Sequence, residues 1–375
     1  MIYLDQAATS LHKPSQVYGA VLNAMKTCAS LGRSGHEAAR RAAEIAYECR
    51  TVAAELFDAK PEQVVFTSGA THGLNIAIRS LVERGDRVVV SGFEHNAVMR
   101  TLYHVGANIV VAGRKLFDRA DTLQAFADAI TPGTKAVICT HVSNVFGYVL
   151  PVEQIAELCC LRNIPFVLDA AQSAGVLPVS LNKLHASFIA APGHKGLLGP
   201  QGTGLLLCGR LPKPLLTGGT GSLSLDVQMP DFLPDISEAG THNIPGIAGL
   251  LAGMEWIRET GMEVIRNKEC ELLKLLKTEM SALPDTRLFC GSDDVQVGVL
   301  SFQIDGLDCE EVAQMLSDAD IAVRAGLHCA PLAHSSAGTL SQGTVRVSVS
   351  CQNTRNEIEV LVGALKEILS LNNYG

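Results

Sequence analysis

No stretch of this 375-residue chain approaches the roughly 18 uninterrupted apolar residues that a membrane-spanning helix requires, although 47% of its residues are apolar and its mean hydropathy is +0.22. The chain also lacks a basic segment leading into an apolar one at its start. "MIYLDQAATS" carries an acid at Asp5 instead, so the expectation is a cytoplasmic protein without a leader or membrane contact. There is no C-x-x-C pair, and the adjacent Cys159 and Cys160 would project about 100° apart on a helix; no zinc or iron–sulfur site is expected. The eleven cysteines lie scattered through apolar segments such as "KAVICTHV", which reads as a reduced set of thiols and not as a disulfide framework. A long basic block is missing as well. With 30 Lys and Arg against 38 Asp and Glu, the net charge of −8 excludes an electrostatic footprint for nucleic acid and leaves a small-molecule substrate as the expectation. Internal repeats and low-complexity tracts are absent.

What is present is an alternation. From about residue 63, short β-branched runs ("QVVFTS", "DRVVVSG", "NIVVAG", "KAVICTHV", "IPFVLDA", "ASFIAA", "GTGLLLC") are separated by stretches with helical spacing, as at Val152, Ile155, Ala156 and Cys159. This predicts an α/β unit with a mainly parallel sheet covered by helices, whose ligands sit outside the carboxyl ends of the strands. After residue 245 a long helical stretch, the strand-like runs "VGVLSFQI", "IAVRAG" and "TVRVSVS", and a terminal helix from Thr354 predict a smaller α+β unit. The expected division is residues 15–245 for the large unit, with 1–14 and 246–375 forming the small one.

The strand ends carry the chemistry. "TSGATHGLNIAI" runs from a strand through a glycine-containing turn into a helix beginning near Ala70, where free N–H groups and the hydroxyls of Ser68 and Thr71 make a phosphate cradle. Asp169 ends the strand in "PFVLDAAQ", either as a helix cap or as a functional carboxylate. Lys195 follows another strand in "SFIAAPGHKGLLG", either as a loop lysine or as a reactive amine. An acid and an amine at neighbouring strand ends suit a cofactor whose ring nitrogen meets the first and whose aldehyde meets the second. Cys329, in "RAGLHCAPLAH", lies on a polar loop punctuated by glycine and proline, where the charges of Arg324 and His328 are expected to favour thiolate.

The motifs "YLDQAAT", "TSGATHGLN", "EHNAV", "HVSNVFG", "LDAAQSAG", "GHKGLLGPQGTG", "EAGTHNIPG" and "RAGLHCAP", in this order, resemble the class V aminotransferase-fold enzymes, and within them the cysteine desulfurase and selenocysteine lyase group. The likeness runs from Tyr3 to about Thr354. It implies the pyridoxal 5′-phosphate (PLP) fold type I, aspartate aminotransferase-like, with Lys195 bonding the cofactor's aldehyde and Asp169 at its ring nitrogen. It further implies Gln172 at the phenolate oxygen and His95 stacked on the ring. Ala70, Thr71 and His194 would hold the phosphate, and Thr241 would reach the cofactor of a second subunit, so that an obligate homodimer is implied. Asn144 and Arg346 would hold the substrate carboxylate, and Arg324 and His36 would line the substrate pocket, although a helix-start histidine also serves as a local hydrogen-bond acceptor. Cys329 would be the nucleophile that takes sulfur or selenium from L-cysteine or L-selenocysteine, releasing alanine and leaving a persulfide for an acceptor protein, with His95 as proton shuttle.

Departures from the family pattern are Pro192, where a Ser or Thr usually contacts phosphate; Gln6, in place of the Asn of "LDNAAT"; and Leu327, where a second histidine is common. The short spacing from Cys329 to Arg346 is similar to that of the Suf-type desulfurases and selenocysteine lyases, which implies an ordered loop delivering sulfur to a docked partner. Competing readings are an aminotransferase or lyase of the same fold acting on another amino acid, and a partner-binding scaffold without catalysis.

Overall fold

A computed structural model describes residues 1–32 and 34–372. The seven β-branched runs become one sheet in the order Val64–Thr67, Gly204–Cys208, Phe188–Pro192, Phe166–Asp169, Thr134–Thr140, Arg87–Ser91, Asn108–Ala112. Within it, Gly204–Cys208 runs against both neighbours and the remaining pairs are parallel. Side chains alternate between faces along each strand. Phe66, Val137, Leu168 and Ile189 pack on one side with the helices Glu37–Leu56, Val152–Leu161 and Ile244–Thr260. Val65, Ile138, Val167 and Ala190 pack on the other with Ala70–Leu81 and Asn96–Val105. Strands apolar on both faces are what a sheet covered on both sides demands.

The second core is formed by an antiparallel sheet in the order Arg324–Gly326, Thr344–Ser348, Val299–Ile304, Thr286–Phe289, covered by the helices Met262–Met280, Cys309–Asp318 and Arg355–Asn372. Ile2–Tyr3 pairs in parallel with Ile321–Ala322, and Leu4 is buried in this second core. The expected division at residue 246 does not coincide with the packing. Ile247, Leu250, Met254 and Ile257 belong to the core of the large sheet, and the second core is entered only from Leu272. The helical stretch read as continuous breaks at Gly261, whose φ of +87° lies in the region that glycine alone enters freely.

The large sheet brings the carboxyl ends of its like-directed strands to one edge, placing Thr67, Thr140, Asp169 and Pro192 there. Gly204, the first residue of the reversed strand, pairs with both Thr67 and Pro192 at that edge. A side chain on Gly204 would begin 2.6 Å from the Cα of Gly69, so the turn that opens the helix Ala70–Leu81 rests directly on this strand only because residue 204 has none.

A buried ion pair fastens the following loop to the edge strand. Arg50 donates through both terminal nitrogens to Glu238 at 2.9 and 2.6 Å, and Glu238 also accepts from the Phe66 N–H at 2.6 Å and meets His242 Nε2 at 2.7 Å. Burial pushes the Glu238 carboxyl up, but the His242 contact and the Arg50 guanidinium outweigh it and hold the group below its ordinary value. Replacing Glu238 by Ala leaves Arg50 buried without its counter-charge, and the expected loss is about 3–5 kcal/mol of unfolding free energy. Urea denaturation of wild type and Glu238→Ala measures it; a difference below about 1 kcal/mol would show that the pair is not a main fastening.

Candidate active site

A cleft of about 320 Å³ opens at the carboxyl edge of the large sheet. On one side stands the N-terminus of the helix Ala70–Leu81, whose cap is Gly69 with φ +153°. The first N–H groups of a helix have no intrahelical carbonyl to meet, and together with the helix dipole they attract an anion. Gly69, Ala70 and Thr71 line the cleft beside them, as does His72, which the sequence reading passed over. The His72 ring folds back so that Nδ1 accepts from the Ser68 N–H at 3.3 Å. Pro192 lines the same wall and offers neither hydroxyl nor N–H.

Asp169 and Lys195 lie in this cleft together. The Asp169 side chain is 2% exposed; Oδ1 accepts from the Ala171 N–H at 2.9 Å. Burial raises its pKa, opposed by that hydrogen bond and by the Lys195 charge. Burial, with the Arg346 charge behind it, lowers Lys195 to about 8, against the pull of Asp169 and Asp5. His95 caps the helix Asn96–Val105, its Nδ1 accepting from the Ala97 N–H at 3.0 Å, so the ring proton sits on Nε2. Burial first, then the charges of Lys195 and Arg324, lower His95 to about 4; it is neutral at physiological pH. His194 is lowered to about 4 by the same combination of burial and Lys195, and its Nδ1 lies 3.1 Å from Thr9 Oγ1. Gln172 donates from Nε2 to the Ala7 carbonyl at 3.0 Å. Residues 7–10 therefore form a strap over the lysine turn, with Ser10 and Thr9 donating to the His194 carbonyl.

Cys329 is exposed and lines the cleft. Its loop is fastened from the large unit: the Asn96 N–H donates to the Cys329 carbonyl at 2.8 Å, and Asn144 Nδ2 donates to the His328 carbonyl at 2.8 Å. His328 and Cys329 both have positive φ, +48° and +55°, a conformation that costs a non-glycine residue roughly 1–2 kcal/mol and that these fastenings maintain. The expected contribution of His328 to thiolate formation is overturned. Its ring is 4% exposed and bonded to Thr344 at 3.1 Å, and burial with the Arg346 charge holds it well below the normal imidazole range, so it is neutral. Arg324 is left as the exposed cation of the loop.

Arg346 is 1% exposed and lines the cleft, but its fork is already engaged: Nη2 pairs with Asp5, and Nη1 donates to the Asn144 carbonyl at 3.0 Å. Nε is buried without a partner. Asp5 is thus a site residue that sequence reasoning missed, although "YLDQAAT" contained it; only the pairing of chain ends makes it a neighbour of Arg346. Two expected residues lie elsewhere. His36 is an exposed cap of the helix Glu37–Leu56, its Nδ1 accepting from the Ala39 N–H at 3.3 Å, so the local hydrogen-bond reading applies and it is absent from the cleft lining. Thr241 is exposed in an adjoining cavity of about 330 Å³ that also touches Ser68 and His72.

The arrangement fits PLP. Free helix N–H groups would take its phosphate, the buried acid Asp169 its ring nitrogen, and Lys195, with its depressed pKa, its aldehyde, within a cavity of suitable size. Only the neutral amine attacks an aldehyde, and its fraction grows as pH rises through the pKa. Loading of apoprotein with PLP should therefore accelerate with a midpoint near pH 8, followed by absorbance in the stopped flow; a midpoint close to the free lysine value of about 10.4 would contradict the depressed amine.

Comparison with known proteins agrees with this geometry. Residues 2–361 match the class-V aminotransferase family. A probable cysteine desulfurase of Methanothermobacter thermautotrophicus is 32% identical over 99% of this chain and 95% of its own length. One of Xylella fastidiosa is 34% identical over 99% and 91%. The apo cysteine desulfurase of Thermococcus onnurineus superposes with a TM-score of 0.91 at 33% identity, covering 98% of this chain and 94% of that one. A lysine, an acid and a cysteine meeting at the carboxyl edge of one sheet, in a chain so matched from end to end, place this protein in the class V aminotransferase family.

Proposed function

We propose that the protein is a PLP-dependent cysteine desulfurase that converts L-cysteine to L-alanine and carries the sulfur as a persulfide on Cys329. The observation behind this reading is the exposed thiol of Cys329 in the same cleft as Lys195, on a loop bonded to the residues beside His95. Bound between Lys195 and Asp169, PLP supplies the sink for electrons released at the substrate's α-carbon. Lys195 Nζ is the group that would take the substrate's α-proton and return it, and the lowering of its pKa to about 8 by burial favours that role. Arg346 and Asn144 orient the substrate carboxylate, with Asp5 holding the guanidinium in place. Cys329 Sγ attacks the substrate sulfur. A sulfur–sulfur bond forms, the carbon–sulfur bond breaks with its electron pair left on carbon, and a proton delivered there completes alanine. His95, which lines the cleft and carries its proton on Nε2, relays protons in this step. An acceptor protein then takes the outer sulfur from the exposed loop.

The relatives are named for cysteine, and no observation favours selenocysteine. An aminotransferase reading leaves the strained, twice-fastened cysteine loop without a purpose. A homodimer is part of the proposal, supported by Thr241 lying exposed next to the phosphate end of the cleft and by exposed Leu216, Leu225, Val227 and Phe232 on the same segment. Sedimentation of a monomer at micromolar concentration would remove that part. Eleven free cysteines and no helix long and apolar enough to cross a membrane, among the described residues, support a reducing, cytosolic setting.

The test is intact-protein mass spectrometry after addition of L-cysteine. One sulfur should appear on the peptide containing Cys329 and vanish with reductant. Cys329→Ala should lack it, retain cofactor absorbance, and form alanine more than about a hundredfold more slowly. Undiminished sulfide release by this variant would overturn the assignment, and faster turnover of L-selenocysteine than L-cysteine would redirect it.

A further inference from the structure

Behind the cofactor cleft lies a second cavity, of about 300 Å³, to which the proposed reaction assigns nothing. Its position follows from the period of an extended chain. Thr140 and Val142 line the cofactor cleft, while His141 between them lines the second cavity. His141 is also tied to the catalytic edge through its backbone, its N–H donating to the Asp169 carbonyl at 2.9 Å.

Three cationic side chains converge here from separate elements: Arg119 at the start of Arg119–Ala129, Lys183 from the loop after the Asp169 strand, and Arg266 from Met262–Met280. None forms a salt bridge among the described residues. The ten-residue helix Val152–Leu161 points its N-terminus at the same space; Pro151 caps it without a side-chain hydrogen bond, so the first-turn N–H groups of Glu153 and Gln154 lack a capping acceptor. The His141 side chain is 8% exposed, and its Nδ1 is buried with no hydrogen-bond partner. Glu153 and Asp294 are the acids at the rim, and Asp294 is engaged by Ser292. They leave the three cations in excess by one charge. Apart from Ser180, whose hydroxyl donates to Asp58, the remaining wall, which includes Val149, Leu150, Leu177 and Pro178, is apolar.

We propose that this cavity binds a small organic anion, a phosphate monoester with a short carbon body. Arg119, Arg266 and Lys183 with the helix N-terminus grip the phosphate, and the carbon body rests on Leu150 and Leu177. Paired guanidinium forks and helix N–H groups are the chemistry that recognises a tetrahedral oxyanion. An apolar wall beside them selects an organic ester over inorganic phosphate.

The experiment uses holoenzyme, so that the cofactor's own phosphate cradle is filled, and titrates glycerol 3-phosphate by calorimetry. Saturable binding is expected, weakened about tenfold in Arg119→Gln and in Arg266→Gln. Both variants should keep the cofactor absorbance of wild type. Lys183→Gln, on an exposed side chain, should weaken binding without altering stability. Hydrogen exchange on the wild-type protein supplies a readout independent of any variant: the ligand should slow exchange in residues 150–155 and 177–184. Absence of saturable binding, binding indifferent to all three substitutions, or protection confined to residues 68–72 would overturn the proposal. Equal affinity for inorganic phosphate would overturn the organic part of it.

Discussion

Two hydrogen bonds onto neighbouring carbonyls decide what this molecule can do. The Asn96 N–H holds the Cys329 carbonyl and Asn144 Nδ2 holds that of His328, both onto the loop that follows the strand Arg324–Gly326. The chain's first residues add to this fastening. Ile2–Tyr3 joins the small unit, Asp5 grips Arg346, and residues 7–10 cross back to the carbonyl before Lys195. One segment thus ties the thiol-bearing unit to the amine-bearing one.

The electrostatics of the cleft follow from crowding cations into a space sheltered from water. Burial first, and then the charges of Lys195, Arg324 and Arg346, keep His95 neutral, and burial with Arg346 lowers Lys195 to about 8. Asp169 is the counterweight, buried at a strand end in the same cleft as Lys195. Burial and neighbouring charge thus keep the imidazoles neutral and bring the amine's pKa closer to physiological pH than a free lysine's. His328 shows the opposite side of the same rule: adjacency to Cys329 in sequence gives it no electrostatic role, because its ring is buried against Thr344.

Much of the site was legible because strand-end residues announce themselves. Apolar runs that stop on Asp169, or just ahead of Lys195, say which side chains reach the carboxyl edge, and the glycine turn before Ala70 says where a phosphate would sit. The two readings of His36 and the placing of the boundary at 246, short of where the packing changes, have a common reason. A helix-start histidine and a helix between units each have two physically sound positions, and only the surrounding packing selects one.

The alternation of strand and helix, the parallel sheet and the order of its chemical residues are properties of local pattern, since burial on both faces and the period of each element are written in consecutive residues. Which distant groups touch is not. The Asp5–Arg346 pair, the Arg50–Glu238 fastening, the anchored carbonyls of His328 and Cys329, and the turning of His141 away from the cofactor cleft all join residues far apart in the chain or on opposite faces of one strand. Such contacts arise only when the elements are packed, because a side chain's charge state and partners depend on what closes over it in space.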